Sequence, residues 1–198
     1  YGQTLLHVAC KNNYVDIVKL LIEKNSDLNS KTLLKNTPLH LACIYGFVGI
    51  IELLIEHKAN LNLKSIYGNT LLHTACSNGY VDIVKILIEH NADLNSKNCY
   101  GKTPLYLACY YGYVDIVKIL IEHNADLNSS DCYKNTPLHV ACSNNNVDTV
   151  KLLIKNKVIV NSSKKYKLSI IILNYNTNLK YCDKQLKKNL IKNFEEYY

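Results

Sequence analysis

Thr4, Thr37, Thr70, Thr103 and Thr136 stand 33 residues apart, and Cys10, Cys43, Cys76, Cys109 and Cys142 keep the same period. So do Leu6, Leu39, Leu72, Leu105 and Leu138. Residues 70–102 and 103–135 agree at 24 of 33 positions without a gap. A period of this length makes the chain an array. A unit so short cannot cover its own apolar face, so neighbours must stack, and the expected product is an elongated solenoid.

One unit reads as two helices and an extended turn. Thr103 suits a helix N-cap, and Pro104 suits the first helical position, where its missing N–H is not needed. Leu105, Ala108 and Cys109 recur at i, i+3 and i+4, one helical face. Gly112 can end this helix in a left-handed conformation, as can Asn13, Gly46, Gly79 and Asn145 at the matching places. A second helix is expected from Val114 to about His123, with Val114, Val117 and Ile121 as its apolar stripe and Ile116 and Leu120 beside it. Asp115 favours its positive end, and Asn124 can close it. Asp126 to Asn135 has no helical period and reads as a turn or hairpin finger.

The T-P-L-H-x-A-C of 37–43 and 136–142 resembles the signature of the ankyrin repeat family. Val-Asp-Ile-Val-Lys-x-Leu-Ile followed by Asn-Ala-Asp-Leu-Asn at 91–95 and 124–128 is similar to that family's second helix and turn. Departures are Leu5 and Leu71 for Pro, Tyr106 for His and Gly49 for Asp, and the last turn, Lys157 to Val160, is degraded. The resemblance implies an all-α solenoid of helix-turn-helix units with extended fingers, five repeats over residues 1–161. It also implies a histidine that hydrogen-bonds across neighbouring turns and a small buried residue at the cysteine position.

The two ends differ. Repeat one starts at a repeat boundary with an ordinary apolar set, and the chain contains no Met, so an array that continues upstream is expected. Residues 162–198 start in frame, then lose the signature, while Leu179, Cys182, Leu186 and Leu190 keep helical spacing. They read as a degenerate sixth repeat acting as a polar cap. A disordered basic tail, or a helix for a partner or anionic surface, are the alternatives. The charge supports the division: residues 1–161 hold 15 Lys and 13 acids, residues 162–198 hold 8 Lys and 3 acids, and no residue is Arg. A nearly neutral body disfavours nucleic acid. The longest apolar run near the C-terminus, Ile170 to Leu173, is far short of the roughly 20 residues a membrane span needs.

His-x-x-Cys recurs at 7–10, 40–43, 73–76 and 139–142. A pair repeated at the period of the array argues for packing and against a single metal site. Equivalent cysteines on packed helices, about 8–10 Å apart, are beyond disulfide reach. Free thiols point to a reducing intracellular location, cytoplasmic before nuclear. Phosphate-loop, dinucleotide, zinc-protease and nucleophile-elbow motifs are missing, and Asp16, Asp82, Asp115 and Asp148 are periodic, so no catalytic residue, cofactor or small-molecule substrate is expected.

What remains is a surface. The resemblance implies binding of a protein partner on the concave side, through exposed ends of the first helices and through the fingers. The first-helix pairs are Lys11/Asn12, Ile44/Tyr45, Ser77/Asn78, Tyr110/Tyr111 and Ser143/Asn144, and here the repeats differ most. The finger residues are Leu33/Leu34, Ile66/Tyr67, Cys99/Tyr100 and Cys132/Tyr133. Tyr67, Tyr100 and Tyr133 recur and either pack finger on finger or meet the partner. Tyr110 and Tyr111 break the pattern of their neighbours and are the expected anchors, flanked by Ile44 and Tyr45. The expected role is a scaffold or adaptor. The alternatives are the regulatory array of a larger enzyme or channel, and nucleic-acid or anionic-surface binding through 162–198.

Overall fold

The computed structural model describes residues 2–156 and 158. The expected cap over 162–198 lies outside them. Among the described residues the regular structure is ten α-helices and no strand. The first helices are α1 (Leu5–Lys11), α3 (Pro38–Tyr45), α5 (Leu71–Asn78), α7 (Pro104–Tyr111) and α9 (Pro137–Ser143). The second helices are α2 (Val15–Glu23), α4 (Val48–Glu56), α6 (Val81–Glu89), α8 (Val114–Glu122) and α10 (Val147–Lys155). Each first helix packs on its own second helix and on the next first helix, and the second helices form a parallel layer behind.

Local chemistry sets each boundary. Thr37 and Thr70 are extended N-caps whose hydroxyls accept from the backbone N–H of His40 and His73. The imidazoles reach back to the threonine N–H, so both ends of a capping box are filled. Gly79 ends α5 at φ 77°. A Cβ there would stand 2.8 Å from the Tyr113 ring, so glycine is required twice, for the turn and for the approach of the next repeat. Gly46 and Gly112 likewise hold positive φ after α3 and α7. Asn13, Asn25, Asn91, Asn124 and Asn145 hold positive φ at further helix ends, as expected for the residue most tolerant after glycine, and Lys58 holds it after α4.

The buried arc of α8 differs from the expected stripe. Ile116, Val117 and Leu120 are fully buried, whereas Val114 is 36% exposed and Ile121 is half-buried. The second helix is covered on two sides, by its own first helix and by neighbouring second helices, so the buried arc centres between the two rows that sequence spacing suggested. In repeat one the matching residues lack a preceding neighbour among the described residues, and Leu5, Val8, Ile17 and Leu20 are exposed.

Tyr106, Asp131 and Thr149 are buried departures from the repeat. Thr149 takes the place of Ile17, Ile50, Ile83 and Ile116, is fully buried, and its hydroxyl has no hydrogen-bond partner. Thr149→Val keeps the shape and removes the stranded hydroxyl. It is expected to stabilise the array by about 1 kcal/mol, read as a higher urea midpoint with unchanged slope; an unchanged midpoint would contradict it.

The periodic cysteines behave as small core residues. Burial pushes the Cys10 and Cys43 thiols up to about 12 and Cys142 up to about 11, and also raises Cys76 and Cys109. Cys99 and Cys132 sit exposed on adjacent fingers. Brief treatment of the native protein with a maleimide should therefore label Cys99 and Cys132 and spare the five core thiols until denaturant is added. Peptide mapping that found Cys43 or Cys76 modified at the same rate would reverse this.

Candidate interaction surface

Each finger closes as a short hairpin. The N–H groups of Thr32, Ser65, Asn98 and Asp131 donate to the carbonyls of Asn36, Asn69, Lys102 and Asn135 at 2.9 to 3.0 Å. The side chains at these four places accept from the backbone N–H four residues on. Successive fingers are joined backbone to backbone, from Ile66 N–H to the Leu34 carbonyl at 2.8 Å and from Cys99 and Cys132 to the Tyr67 and Tyr100 carbonyls at 3.0 Å. Finger-on-finger packing is thus carried by the main chain, and the Tyr67, Tyr100 and Tyr133 rings stay 54%, 49% and 72% exposed.

The motif histidine fixes the fingers to the first helices. In repeat one Thr4 N–H donates to His7 Nδ1 at 3.1 Å, which leaves the proton on Nε2 to donate to the Asn36 carbonyl at 3.0 Å. His73 repeats this with the Lys102 carbonyl at 3.0 Å. At His40 the Asn69 carbonyl faces Nε2 without closing a hydrogen bond. Burial lowers the pKa of all three, to about 4 for His40 and His73. These imidazoles are neutral struts. His57, His90 and His123 are exposed C-cap residues whose Nδ1–H donates to the carbonyl four residues earlier at 2.9 Å.

Repeat four is built differently. Tyr106 replaces the histidine, and its hydroxyl donates to Asp131 Oδ2 at 2.8 Å. Asp131 Oδ1 accepts from Tyr133 N–H and Asn135 N–H at 2.9 and 2.8 Å. Burial alone would raise the Asp131 carboxyl, but the bonds from Asn135, Tyr106 and Tyr133 hold it below the ordinary carboxylate range; burial and the Asp131 charge push the Tyr106 hydroxyl up. Lys102 stands where the other repeats have Gln3, Asn36, Asn69 and Asn135. Its ammonium lies 5.8, 5.4 and 5.7 Å from the ring centres of Tyr100, Tyr106 and Tyr110. Tyr110 meets Tyr111 edge to face at 4.9 Å, and Tyr111 stacks on Tyr113 at 6.0 Å.

The expected contact residues fall into two groups. Leu34, Ile44 and Tyr67 line one groove of about 290 Å3 between fingers and first helices, together with Ile66, Thr74 and Asn78. Tyr100 and Tyr110 share the Lys102 ammonium, and Tyr111 adjoins Tyr110. Tyr45 stacks on Phe47 instead, and Leu33 and Tyr133 stand 73% and 72% exposed. Sequence reading missed Lys102 and Asp131. Comparison of positions 102 and 131 across the repeats carries the signal, because Lys102 holds a charge where Gln3, Asn36, Asn69 and Asn135 hold none, and Asp131 where Thr32, Ser65 and Asn98 hold none.

Among the described residues no group of three or more His, Cys, Asp or Glu is placed to hold a metal ion, and no helix is long and apolar enough to cross a membrane. A family model described as ankyrin repeats (3 copies) matches residues 6–98, 60–131 and 92–165. The chain belongs to the ankyrin repeat family. No curated protein matches it. Ankyrin repeats are in general protein–protein interaction modules, a non-catalytic fold, and the ten-helix stack with its finger hairpins is their architecture.

Proposed function

We propose that this ankyrin array is a scaffold or adaptor that binds a protein partner on its concave face, with Tyr110 and Tyr111 as anchors. Ile44, Tyr45, the finger residues Leu33 and Leu34, and the finger tyrosines Tyr67, Tyr100 and Tyr133 flank them. The observation that carries the reading is the aromatic pair itself: Tyr110 and Tyr111 are 41% and 51% exposed at a place where the flanking repeats hold Ser77/Asn78 and Ser143/Asn144. The scaffold folds without aromatic residues there, so their retained apolar area is available to a partner. Tyrosine supplies large contact area at low entropic cost and keeps a polar tip. The buried thiols suit a reducing intracellular compartment.

The test is Tyr110→Ser with Tyr111→Asn, which copies the preceding repeat. Circular dichroism and melting should change little, while quantitative capture of the partner from cell extract falls about 30-fold, the weight of one interface hot spot. Undiminished capture by the folded double variant would refute the anchor role.

A further inference from the structure

The near-neutral net charge of the repeats hides a division. The finger tips, residues 30–36, 63–69, 96–102 and 129–135, carry Lys31, Lys35, Lys64, Lys97, Lys102 and Lys134 against one acid, Asp131. That carboxylate is 6% exposed and already accepts from Tyr106, Tyr133 and Asn135. The first helices add only Lys11. The second helices are the reverse, with nine acids and five lysines. The three ion pairs among the described residues, Lys85–Asp82, Lys118–Glu122 and Lys151–Asp148, all lie on second helices. Asp27, Asp93 and Asp126 stand at the finger bases, and none of the finger-tip lysines is ion-paired among the described residues.

Lys102 sits among aromatic rings. Three tyrosine rings surround its ammonium on the finger and first-helix side, within the range of cation–π attraction. The rings fix the side chain before binding, so less rotamer entropy remains to be lost when an anion arrives. Lys64 and Lys97 are likewise held, their ammonium groups donating to the carbonyls of Lys97 and Ser130 on the next finger at 3.2 and 3.1 Å. They stand one unit apart, and Lys31 and Ser130 hold the same place on the fingers to either side.

We infer that the concave groove takes an extended acidic peptide segment of the partner protein, one carboxylate resting on the Lys102 ammonium among Tyr100, Tyr106 and Tyr110. This rests on the reading that the concave face binds protein. Stacked helices lie about 10 Å apart, and an extended chain rises about 3.3 Å per residue. Acidic residues at every third position therefore match the one-unit spacing of Lys64 and Lys97. The surface lacks arginine, the residue suited to bidentate phosphate recognition.

Fluorescence anisotropy of the full chain tests it with four labelled probes: a 12-residue peptide with Glu at every third position in a Gly/Ser background, its Gln and Lys counterparts, and a 12-nucleotide oligo-dT. The Glu peptide should bind most tightly and weaken with salt. Lys102→Gln, which installs the residue of repeat one, should cost about 10-fold, the loss of one charge-assisted hydrogen bond. Lys118→Gln on α8 should leave binding unchanged. Equal binding by Lys102→Gln with a wild-type melting curve, equal losses at Lys118, no preference for the Glu peptide over Gln, or tighter binding of oligo-dT would each overturn the inference. Partner capture separates the two levels. Retained capture by Lys102→Gln with loss in the Tyr110/Tyr111 variant removes the acidic segment and leaves the concave surface. Retained capture by both removes the surface reading itself.

Discussion

Acidification from pH 7 to pH 4 is expected to remove much of the stability of this array. His40 and His73 are held neutral by burial, with their pKa lowered to about 4, and His7 is lowered as well. In the unfolded chain each returns to about 6.5. Between those values the unfolded state binds more protons than the native state. The contribution is therefore complete above pH 6.5, declines as pH falls, and is gone below pH 4. Each of the two strongly shifted groups contributes on the order of 3 kcal/mol, a large share of the stability of an ordinary domain. Urea midpoints at pH 7, 6, 5 and 4 should fall steeply across that window. A flat profile from pH 7 to pH 5 would mean that the imidazoles are not the neutral struts described.

The Tyr106–Asp131 pair should show the largest response to a single side chain. Asp131→Ala removes the acceptor for the Tyr106 hydroxyl and for the N–H groups of Tyr133 and Asn135. Stranded buried donors and a lost finger cap put the cost at about 2–3 kcal/mol. Tyr106→His with Asp131→Asn copies His73 and Asn98 of the preceding interface, and should restore a stability close to that of the unchanged chain. The two sites are thus expected to couple in a double-mutant cycle. A loss under 0.5 kcal/mol for Asp131→Ala, or additive effects, would show the hydroxyl–carboxylate bond to be incidental; these are about the limits within which independent sites add.

The parts of this molecule that were legible in advance are those that recur. Thr70 with His73, Gly79, Gly112 and Asn124 could be placed from the repeat because each answers a local need: a cap, a left-handed turn, a helix end. Positions that depend on a neighbouring unit were harder. Val114 and Ile121 have the spacing of a buried stripe, but the adjacent second helices decide which arc of α8 is covered, and they choose Ile116, Val117 and Leu120. Tyr106 was visible as a departure, yet its partner Asp131 lies 25 residues away on the next finger, and only the fold joins them. Lys102 was hidden differently. Counted in a total, it balances an acid on the far side of the array, and its three tyrosines come from a finger and a first helix.

The links between repeats also bear on how the chain reaches its native state. His7 joins Asn36 across 29 residues, the finger bond from Cys99 to the Ile66 carbonyl spans 33, and Asn146 reaches Cys109 across 37. These separations are nearly equal at every junction. Loop-closure entropy grows only with the logarithm of loop length, so each new junction costs about the same however many units are already in place. The slow event is then the docking of the first two adjacent repeats, after which growth proceeds outward from that nucleus unit by unit. Lengthening such a chain should therefore raise its resistance to unfolding while leaving the time it needs to begin folding almost unchanged.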